Sequence, residues 1–378
     1  MIDHNIGFIG LGNVGSKLAS NILQAGYNLF IFDIDERTSN KLVSKGAIWK
    51  NSVKDIIDNT SLIITCLPSP QAVTEVVESK SGMIEYINNK HLWIEMSTTD
   101  EKEMIRLSKL IESKGANVLE APVTGGQHRA ESGNISVLTA GKRENFDRAF
   151  PILSEIGFKV LYCGKLGNAS TLKVVTNYLA SINLLSIGEA LMVCKKYGID
   201  LKKAYQGIKI SSGNSFVHET ESQVILNGSY DVGFTMDLVC KDVGLFDQLT
   251  NNLNIPSEIS PLMVKIFNEG RKKYGDRALS TSIVKLLEEI CNTDLRKDGF
   301  PSQLQDKEPR KKKRLKMTSL DRRAFIKVFL ASTLFQGCAG VPFNRAYKGQ
   351  LLFSNELTGN LHFGTETLSW SSETLAWM

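Results

Sequence analysis

Short apolar runs alternate with amphipathic stretches along residues 1–165. This alternation is typical of a parallel sheet that is covered by helices. Helical periodicity marks residues 14–24 and 101–113, and Asp100 with Glu103 has the spacing of a capping box at the start of the second helix. We therefore predict a doubly wound α/β domain, with strands at 6–9, 29–32, 62–67, 92–96, 118–121, 135–139 and 160–162.

The pattern changes after Gly167, where apolar residues become dense and no strand pattern is found before the C-terminal tail. Residues 168–197 contain no proline and one glycine, Gly188. They predict one long, largely buried helix, about 45 Å long at ~1.5 Å per residue. Residues 166–292 are therefore predicted to form an all-α domain that begins with this helix and continues in helices at 235–253, 257–273 and 281–290.

Two further segments follow this domain. Residues 293–316 are polar and highly charged, and they predict a solvated linker. From Met317 onward, the pair Arg322-Arg323 before an apolar run resembles the start of a twin-arginine export signal. Because such a signal works at an N-terminus, our hypothesis is that residues 317–378 are a second coding region fused to the first. A genuine C-terminal extension that packs on the body is the alternative.

Composition narrows the class of protein. Hydrophobic residues make up 42% of the chain and charged residues 22%, which is ordinary for a soluble globular protein. The formal net charge of +5 lies in residues 306–316, where seven Lys or Arg face two acidic residues. The rest of the chain is neutral by this count, so we expect no nucleic-acid partner, and a nucleic-acid or membrane contact at residues 310–316 is the weaker interpretation.

The cysteines and the chain start add three expectations. The six cysteines have neither the spacing of a disulfide framework nor that of a zinc site, so we expect no metal. No apolar run approaches the ~20 residues of a membrane span, and the first strand begins too early to leave room for a signal peptide. We expect a cytoplasmic protein that does not bind membranes.

A glycine-rich loop joins the first predicted strand to the first predicted helix. It has the spacing GxGxxG, which allows a tight turn, a close approach to a pyrophosphate and close packing of helix on strand. Asp33 ends the second strand, where an acidic group accepts hydrogen bonds from a ribose and repels a 2′-phosphate. These features predict a Rossmann-type domain that binds NAD, with NADP less favoured although Arg37 is close. The predicted loop contacts are Gly10, Leu11, Gly12, Asn13, Val14 and Gly15.

Three further segments, in the same order along the chain, resemble the β-hydroxyacid dehydrogenases. They are Ala121-Pro122-Val123-Thr124-Gly125-Gly126, then Gly167-Asn168-Ala169 leading to Lys173 and Asn177, and finally Lys241-Asp242. The resemblance covers residues 5 to about 292 and so excludes the tail. It implies a Rossmann-type domain, an all-α domain and an assembly of two or four identical subunits.

The resemblance also implies roles for individual residues. The lysine that matches Lys173 is the family's catalytic acid/base, which removes the hydroxyl proton while hydride leaves. Asn177, one helical turn away, is expected to bind the same substrate. The other substrate contacts implied are Thr124, Gly125, Gly126, Ser212 and Gly213, and the other cofactor contacts are Leu67, Pro68, Thr98, Phe234 and Lys241.

The sequence departs from the family pattern at several positions. Val14 stands where methionine is usual, and Ala72 stands where relatives often carry an asparagine that contacts the cofactor. Gln127-His128-Arg129 replaces a run of small residues directly after the glycine pair. A histidine and an arginine beside a carboxylate site would favour a substrate with a second acidic group. Side chains turned to solvent are an equally good interpretation.

We therefore predict that the chain oxidises a small β-hydroxy acid, similar to 3-hydroxyisobutyrate, to its semialdehyde with NAD. The main alternative is a reductase of a semialdehyde acid, such as tartronate or succinate semialdehyde. An imine reductase is disfavoured because those relatives usually replace the lysine that matches Lys173. A non-catalytic NAD-binding protein is the alternative from a different class, since fold alone does not prove function.

Overall fold

The computed structural model describes residues 4–306 and two short strands in the C-terminal tail. These strands, β10 (Gly359–Phe363) and β11 (Glu366–Trp370), pair antiparallel as a hairpin. The predicted export-signal resemblance and the lysine-rich run at 310–316 lie outside the described residues.

A nine-stranded sheet forms the N-terminal domain. Its strand order is β3-β2-β1-β4-β5-β6-β8-β7, with β9 beside β8. The first six of these strands are parallel to one another, in the 3-2-1-4-5-6 order of dinucleotide-binding domains. The strands are β1 (Asn5–Ile9), β2 (Asn28–Phe32), β3 (Ile48–Trp49), β4 (Leu62–Thr65), β5 (Leu92–Glu95), β6 (Asn117–Glu120), β7 (Val123–Thr124), β8 (Ile135–Gly141) and β9 (Gly157–Tyr162).

The central strands are buried on both faces, which explains their continuous apolar runs. Side chains on one face of the sheet, such as Phe8 and Ile64, pack in one core cluster. Those on the opposite face, such as Ile63 and Trp93, belong to another. All seven predicted strands are present. The two that the sequence did not reveal, β3 and β7, are two residues long, which is too short to show a period.

Seven helices cover this sheet. Asp100 caps α5 as predicted, because its carboxylate accepts a hydrogen bond from the Glu103 backbone N–H at 2.7 Å. The carboxylate of Glu103 accepts from Arg106 and from the Thr74 hydroxyl, and so links α5 to α4. The helices are α1 (Gly15–Gln24), α2 (Asn40–Val43), α3 (Val53–Asn59), α4 (Pro70–Glu78), α5 (Glu101–Ser113), α6 (Gly126–Ser132) and α7 (Arg143–Ile156).

The second domain is helical, as predicted, and one continuous helix of 30 residues begins it. A short 3-10 turn at Ser280–Val284 replaces the start of the helix predicted at 281–290. The helices are α8 (Asn168–Tyr197), α9 (Leu201–Lys209), α10 (Phe216–Asn227), α11 (Met236–Asn252), α12 (Ile259–Tyr274) and α13 (Lys285–Ile290).

The long helix α8 is less buried than its apolar sequence predicts. Leu184 and Leu191 lie in the core of the helical domain, whereas Leu179 and Val193 are 50% and 69% exposed. By length and composition alone α8 could cross a membrane, with a mean hydropathy of 1.3 over its most apolar 18 residues, a third of which are buried. Such hydropathy also occurs in the core helix of a globular domain, and α8 packs against α9, α10 and α11.

Residues 293–306, which we call the C-terminal strap, differ from the predicted solvated linker. Leu295 is fully buried, and the side chains of Asn227 and Ser229 donate hydrogen bonds to the backbone carbonyls of Phe300 and Ser302. Charged residues of the strap pair with the helical domain, for example Arg296 with Glu288. A charged segment can therefore pack here because its charges find fixed partners, which composition does not show.

Shortening Leu295 tests whether the strap belongs to the fold. Leu295→Ala should lower the free energy of unfolding by about 2–5 kcal/mol, because it removes a fully buried side chain. Leu262→Ala, at a position that is 54% exposed, is the matched control and should cost no more than about 0.5 kcal/mol. Chemical denaturation of the full chain measures both, and equal small losses would contradict a packed strap.

Candidate active site

The glycine loop follows β1 at the point where the order of the strands reverses, between β1 and β4. Gly10 has φ 97°, and a Cβ there would lie 2.4 Å from the carbonyl oxygen of Cys66. A Cβ on Gly15 would lie 2.1 Å from the carbonyl oxygen of Gly10. By contrast, a Cβ on Gly12 would have no protein atom within 4 Å. Packing therefore requires Gly10 and Gly15, whereas Gly12 leaves an open cradle of the kind that a bound phosphate fills.

Asp33 lies directly beside this loop. Its Oδ2 accepts a hydrogen bond from the Leu11 backbone N–H at 2.6 Å, and its Oδ1 accepts one from the Asp35 N–H at 2.9 Å. The guanidinium of Arg37 is paired with Asp35 through two hydrogen bonds of 2.8 Å. The carboxylate of Asp33 is thus fixed at the loop, while the nearest arginine is bound to another acid. The Asp33 carboxylate can accept hydrogen bonds from ribose hydroxyl groups, and the open cradle at Gly12 fits a pyrophosphate, so the two together fit a dinucleotide.

Two loops that follow β4 and β5 are held together by a buried polar network. The Leu67 N–H donates to Ser97 Oγ at 2.7 Å, and the Ser97 N–H donates to Glu95 Oε1 at 2.5 Å. Glu95 also accepts from the Thr65 hydroxyl. Burial raises the pKa of the Glu95 carboxyl to about 7, against the opposing effect of these hydrogen bonds. Sequence reasoning missed Glu95, although an acidic residue at the end of an apolar strand was a visible signal.

Lys241 connects these loops to the helical domain. Its Nζ lies 3.4 Å from the carbonyl oxygen of Pro68 and 3.3 Å from that of Thr98. The same ammonium lies 3.1 Å from Oδ1 of Asp242, which is buried. The structure therefore brings together Leu67, Pro68, Thr98 and Lys241, four residues that the sequence assigned to cofactor binding.

Lys173 is buried on the first turns of α8, at the end of a chain of polar contacts. Its Nζ donates to Asn177 Oδ1 at 2.7 Å, and Asn177 Nδ2 donates to Asp242 Oδ2 at 2.6 Å. The i+4 spacing thus joins Lys173 and Asn177 to each other. Asp242 connects both to Lys241 and, through Lys241, to the loops that follow β4 and β5. Asp242 was recognised in the sequence as part of a motif but was not assigned to the site.

The electrostatic environment favours a neutral Lys173 amine. Burial is the main cause that lowers the pKa of Lys173, to about 8; the Asp242 carboxylate opposes this shift, and the charge of Lys241 contributes to it. An amine with this pKa is present in both protonation states near neutral pH, which a free lysine is not. The side chain can therefore accept a proton in one direction of a reaction and donate it in the other.

Glu120 fixes the start of the helix that carries Lys173. It ends β6 and accepts hydrogen bonds from the backbone N–H groups of Ala169 and Ser170 at 3.0 and 3.1 Å, and from the Ser170 hydroxyl. Burial raises the pKa of Glu120, while these hydrogen bonds oppose the rise. A carboxylate at a helix N-terminus satisfies N–H groups that have no partner within the helix. Glu120 is a positioning residue that the sequence did not reveal, because its partners are 49 and 50 residues away.

The predicted substrate loop, Thr124 to Gly126, runs from the last residue of β7 to the first residue of α6. Gly125 and Gly126 have φ values of 126° and 83°, which other residues rarely adopt. The side chains after the loop point into the protein and not to solvent. Gln127 accepts a hydrogen bond from Lys17 at 2.7 Å and donates one to the Gly233 carbonyl at 2.6 Å. It therefore ties α1 to the loop before α11.

The remaining predicted contacts stay predictions. Ser212 and Gly213 lie on the exposed loop between α9 and α10. Phe234 is partly buried against the core of the helical domain. Among the residues that the structure describes, no group of three or more His, Cys, Asp or Glu could hold a metal ion.

Comparison with known proteins identifies the family. Residues 5–164 match the NAD-binding domain of 6-phosphogluconate dehydrogenase, and residues 167–287 match the NAD-binding domain of NADP-dependent 3-hydroxyisobutyrate dehydrogenase. The mitochondrial 3-hydroxyisobutyrate dehydrogenase of Bos taurus is 30% identical over 258 residues, which cover 66% of this chain and 77% of that protein. The chain belongs to the β-hydroxyacid dehydrogenase family. As a family member it is an NAD(P)-dependent oxidoreductase.

Other relatives agree with this assignment. The 2-(hydroxymethyl)glutarate dehydrogenase of Eubacterium barkeri is 29% identical over 291 residues, which cover 77% of this chain and 97% of that protein. Among solved structures, the Mycobacterium tuberculosis 3-hydroxyisobutyrate dehydrogenase with L-serine superimposes with a TM-score of 0.69 at 23% identity, covering 76% of this chain and 99% of that one. The latter likeness supports the predicted fold.

The Asp242 carboxylate should control the pH dependence of this dehydrogenase. A base with the pKa of Lys173 would take up the hydroxyl proton only as the neutral amine, so kcat/KM for oxidation should rise with pH through a midpoint of about 8. Asp242 stabilises the ammonium form, so Asp242→Asn should move the midpoint to lower pH by on the order of one unit. Initial rates of nicotinamide reduction at several pH values measure it.

Asp237→Asn is the control for that series, because Asp237 lies on the same helix but pairs with Arg277 at the surface. It should leave the midpoint in place. A midpoint shared by Asp242→Asn and the unchanged chain would contradict the electrostatic role of Asp242.

Proposed function

We propose that this enzyme oxidises a small β-hydroxy acid with NAD and that Lys173 is its acid/base. The observation that carries the proposal is the buried Lys173 amine, which is hydrogen-bonded through Asn177 to Asp242 and from there to the cofactor loops. When bound, NAD would accept the hydride from the carbon that bears the hydroxyl group. Lys173 Nζ would take the hydroxyl proton as the carbonyl bond forms, so that one hydride and one proton leave the substrate.

The substrate would be held by the loop of Thr124, Gly125 and Gly126. Gly125 and Gly126 both have positive φ values, and glycine pairs of this kind can let backbone N–H groups converge on a carboxylate. Asn177 would contact the reacting hydroxyl; its amide oxygen accepts a hydrogen bond from the Lys173 amine, which supports this role. A β-hydroxy acid offers these two groups, a carboxylate and a nearby hydroxyl, at one end of a small molecule.

The reduction of a semialdehyde acid is the second candidate. A Lys173 pKa of about 8 supports it, because the ammonium form that must donate the proton is well populated at neutral pH. The same residues serve both directions, so the ratio of the two rates at pH 7 decides between them. A non-catalytic NAD-binding protein would need neither the buried Lys173 amine nor the hydrogen bonds that link it through Asn177 to Asp242.

The preference for NAD over NADP follows from Asp33. Its carboxylate lies beside the glycine loop and would repel a 2′-phosphate, while Arg37 is paired with Asp35. We also expect a homodimer or homotetramer. On α8, the apolar side chains of Leu179 and Val193 are at least half exposed in the described part of the chain, and a second subunit would cover them.

Removal of the Lys173 amine tests the proposed chemistry. Lys173→Ala should lower kcat/KM by about 10²- to 10⁴-fold, because it removes the general base. Binding of NADH, followed by fluorescence, should be retained. Lys165→Ala, at an exposed position before α8, is the matched control and should keep full turnover. If Lys173→Ala kept the rate of the unchanged chain, the catalytic assignment would be wrong.

Replacing Asp33 tests the cofactor preference. The unchanged chain should have a higher kcat/KM with NAD than with NADP, and Asp33→Ser should shift this ratio toward NADP by about tenfold or more, because it removes the repelling charge. Asp35→Ser, which frees Arg37 but leaves Asp33 in place, separates the two effects. A ratio that does not change in Asp33→Ser would contradict the proposed role.

A further inference from the structure

The side chains of Arg129 and His128 fold back onto the predicted substrate loop. The Cδ of Arg129 lies 3.0 Å from the position of a Cβ on Gly125, and the His128 ring lies 3.1 Å from that on Gly126. The side chains of Arg129 and His128 are 22% and 24% exposed, so both are largely shielded. Arg129 and His128 therefore lie beside the same glycine pair that would hold a carboxylate.

An aromatic ring fixes this pair from the helical domain. The guanidinium carbon of Arg129 lies 4.6 Å from the centroid of the Phe216 ring. The His128 ring is stacked on the same ring, with an interplanar angle of 13°. Phe216 begins α10, directly after the loop that contains Ser212 and Gly213. Cation–π contact of this kind positions a guanidinium and leaves its edge available to an anion.

The pair already holds a carboxylate, which comes from the C-terminal strap. Arg129 Nε donates to Asp306 Oδ2 at 2.5 Å, and His128 Nε2 lies 3.3 Å from the same oxygen. The Asp306 side chain is only 10% exposed. These residues therefore form a built site for one carboxylate next to the predicted site for another.

Asp306 lies at the end of the strap, and residues 293–306 contain no helix or strand. The Asn227 and Ser229 side chains hold the backbone at Phe300 and Ser302, and the Gln223 amide donates to the Gln305 carbonyl at 2.9 Å, at an exposed position. Asp306 follows this last contact. Its release would exchange one ion pair for another and would leave the buried part of the strap in place.

We infer that Arg129 and His128 form a subsite for the second carboxylate of a dicarboxylic β-hydroxy acid, and that Asp306 occupies this subsite until such a substrate displaces it. The inference rests on the proposed function, since it places the first carboxylate at Gly125 and Gly126. A substrate with one carboxylate leaves Asp306 in place. The chain would thus accept both classes but use Arg129 only for the dicarboxylic one.

The test compares two substrates in the full chain with NAD. They are 2-(hydroxymethyl)glutarate, which has two carboxylates, and 3-hydroxyisobutyrate, which has one. Arg129→Met should raise KM for the dicarboxylic acid by about 10- to 100-fold, because it removes charge-assisted hydrogen bonds, while KM for the other acid changes much less. Arg129→Lys keeps the charge but not the planar fork and should restore part of the loss.

The competing carboxylate is tested separately. Asp306→Asn should raise the ratio of kcat/KM for the dicarboxylic over the monocarboxylic acid by about tenfold, because the substrate no longer displaces a charged competitor. Asp298→Asn, an exposed carboxylate on the same strap, is the matched control and should leave the ratio unchanged. The inference is overturned if Arg129→Met weakens both substrates equally, or if Asp306→Asn leaves the ratio unchanged or lowers it.

A binding measurement separates this inference from the proposed function. Calorimetry of the NADH-loaded chain with glutarate should give a Kd that Asp306→Asn lowers and Arg129→Met raises. If neither hydroxy acid is turned over but glutarate behaves in this way, the proposed function fails and the subsite stands. If turnover occurs but glutarate binding does not depend on Arg129, the subsite fails and the proposed function stands.

Discussion

Lys173 is a buried amine, and burial carries a free-energy cost for its charged form. The polar residues around it offset part of that cost. Burial favours the neutral amine, and Asp242 limits this effect without touching Lys173, because Asn177 stands between them. The same Asp242 is paired with Lys241, whose ammonium lies near the carbonyl oxygens of Pro68 and Thr98 in the loops after β4 and β5. The protonation of the lysine and the position of the loops are therefore linked through one carboxylate.

The position of Lys173 in this chain of hydrogen bonds depends on how α8 is attached to the sheet. Glu120 at the end of β6 accepts from the first backbone N–H groups of α8, so the turn that carries Lys173 is fixed to the N-terminal domain. On the neighbouring strand β5, Glu95 holds Ser97, which holds Leu67. Two buried acidic residues at the ends of adjacent strands thus position Lys173 and the loops that follow β4 and β5.

The C-terminal strap gives this protein a feature outside the segments that match the family models. It lies beyond the segment that matches the family, residues 167–287, yet its Asp306 accepts a hydrogen bond from Arg129 on α6 of the N-terminal domain. Its charges are satisfied one by one, as in the pair of Arg296 and Glu288. Phe216, which the sequence did not single out, is in contact with both Arg129 and His128, and so joins the loop before α10 to the glycine pair.

The sequence by itself determined the seven longer strands of the sheet, the long helix α8, the glycine loop with Asp33, and the position of Lys173 four residues before Asn177. These features are local, because periodicity, φ requirements and i+4 spacing act within a few residues. Only the tertiary structure decided the burial of Lys173, the roles of Glu95, Glu120 and Asp242, and the packing of the strap. Each of these depends on contacts between distant segments, such as Arg129 with Asp306 across 177 residues. A charged side chain looks the same in the sequence whether solvent or a fixed partner balances its charge, and that balance is set only when the chain is folded.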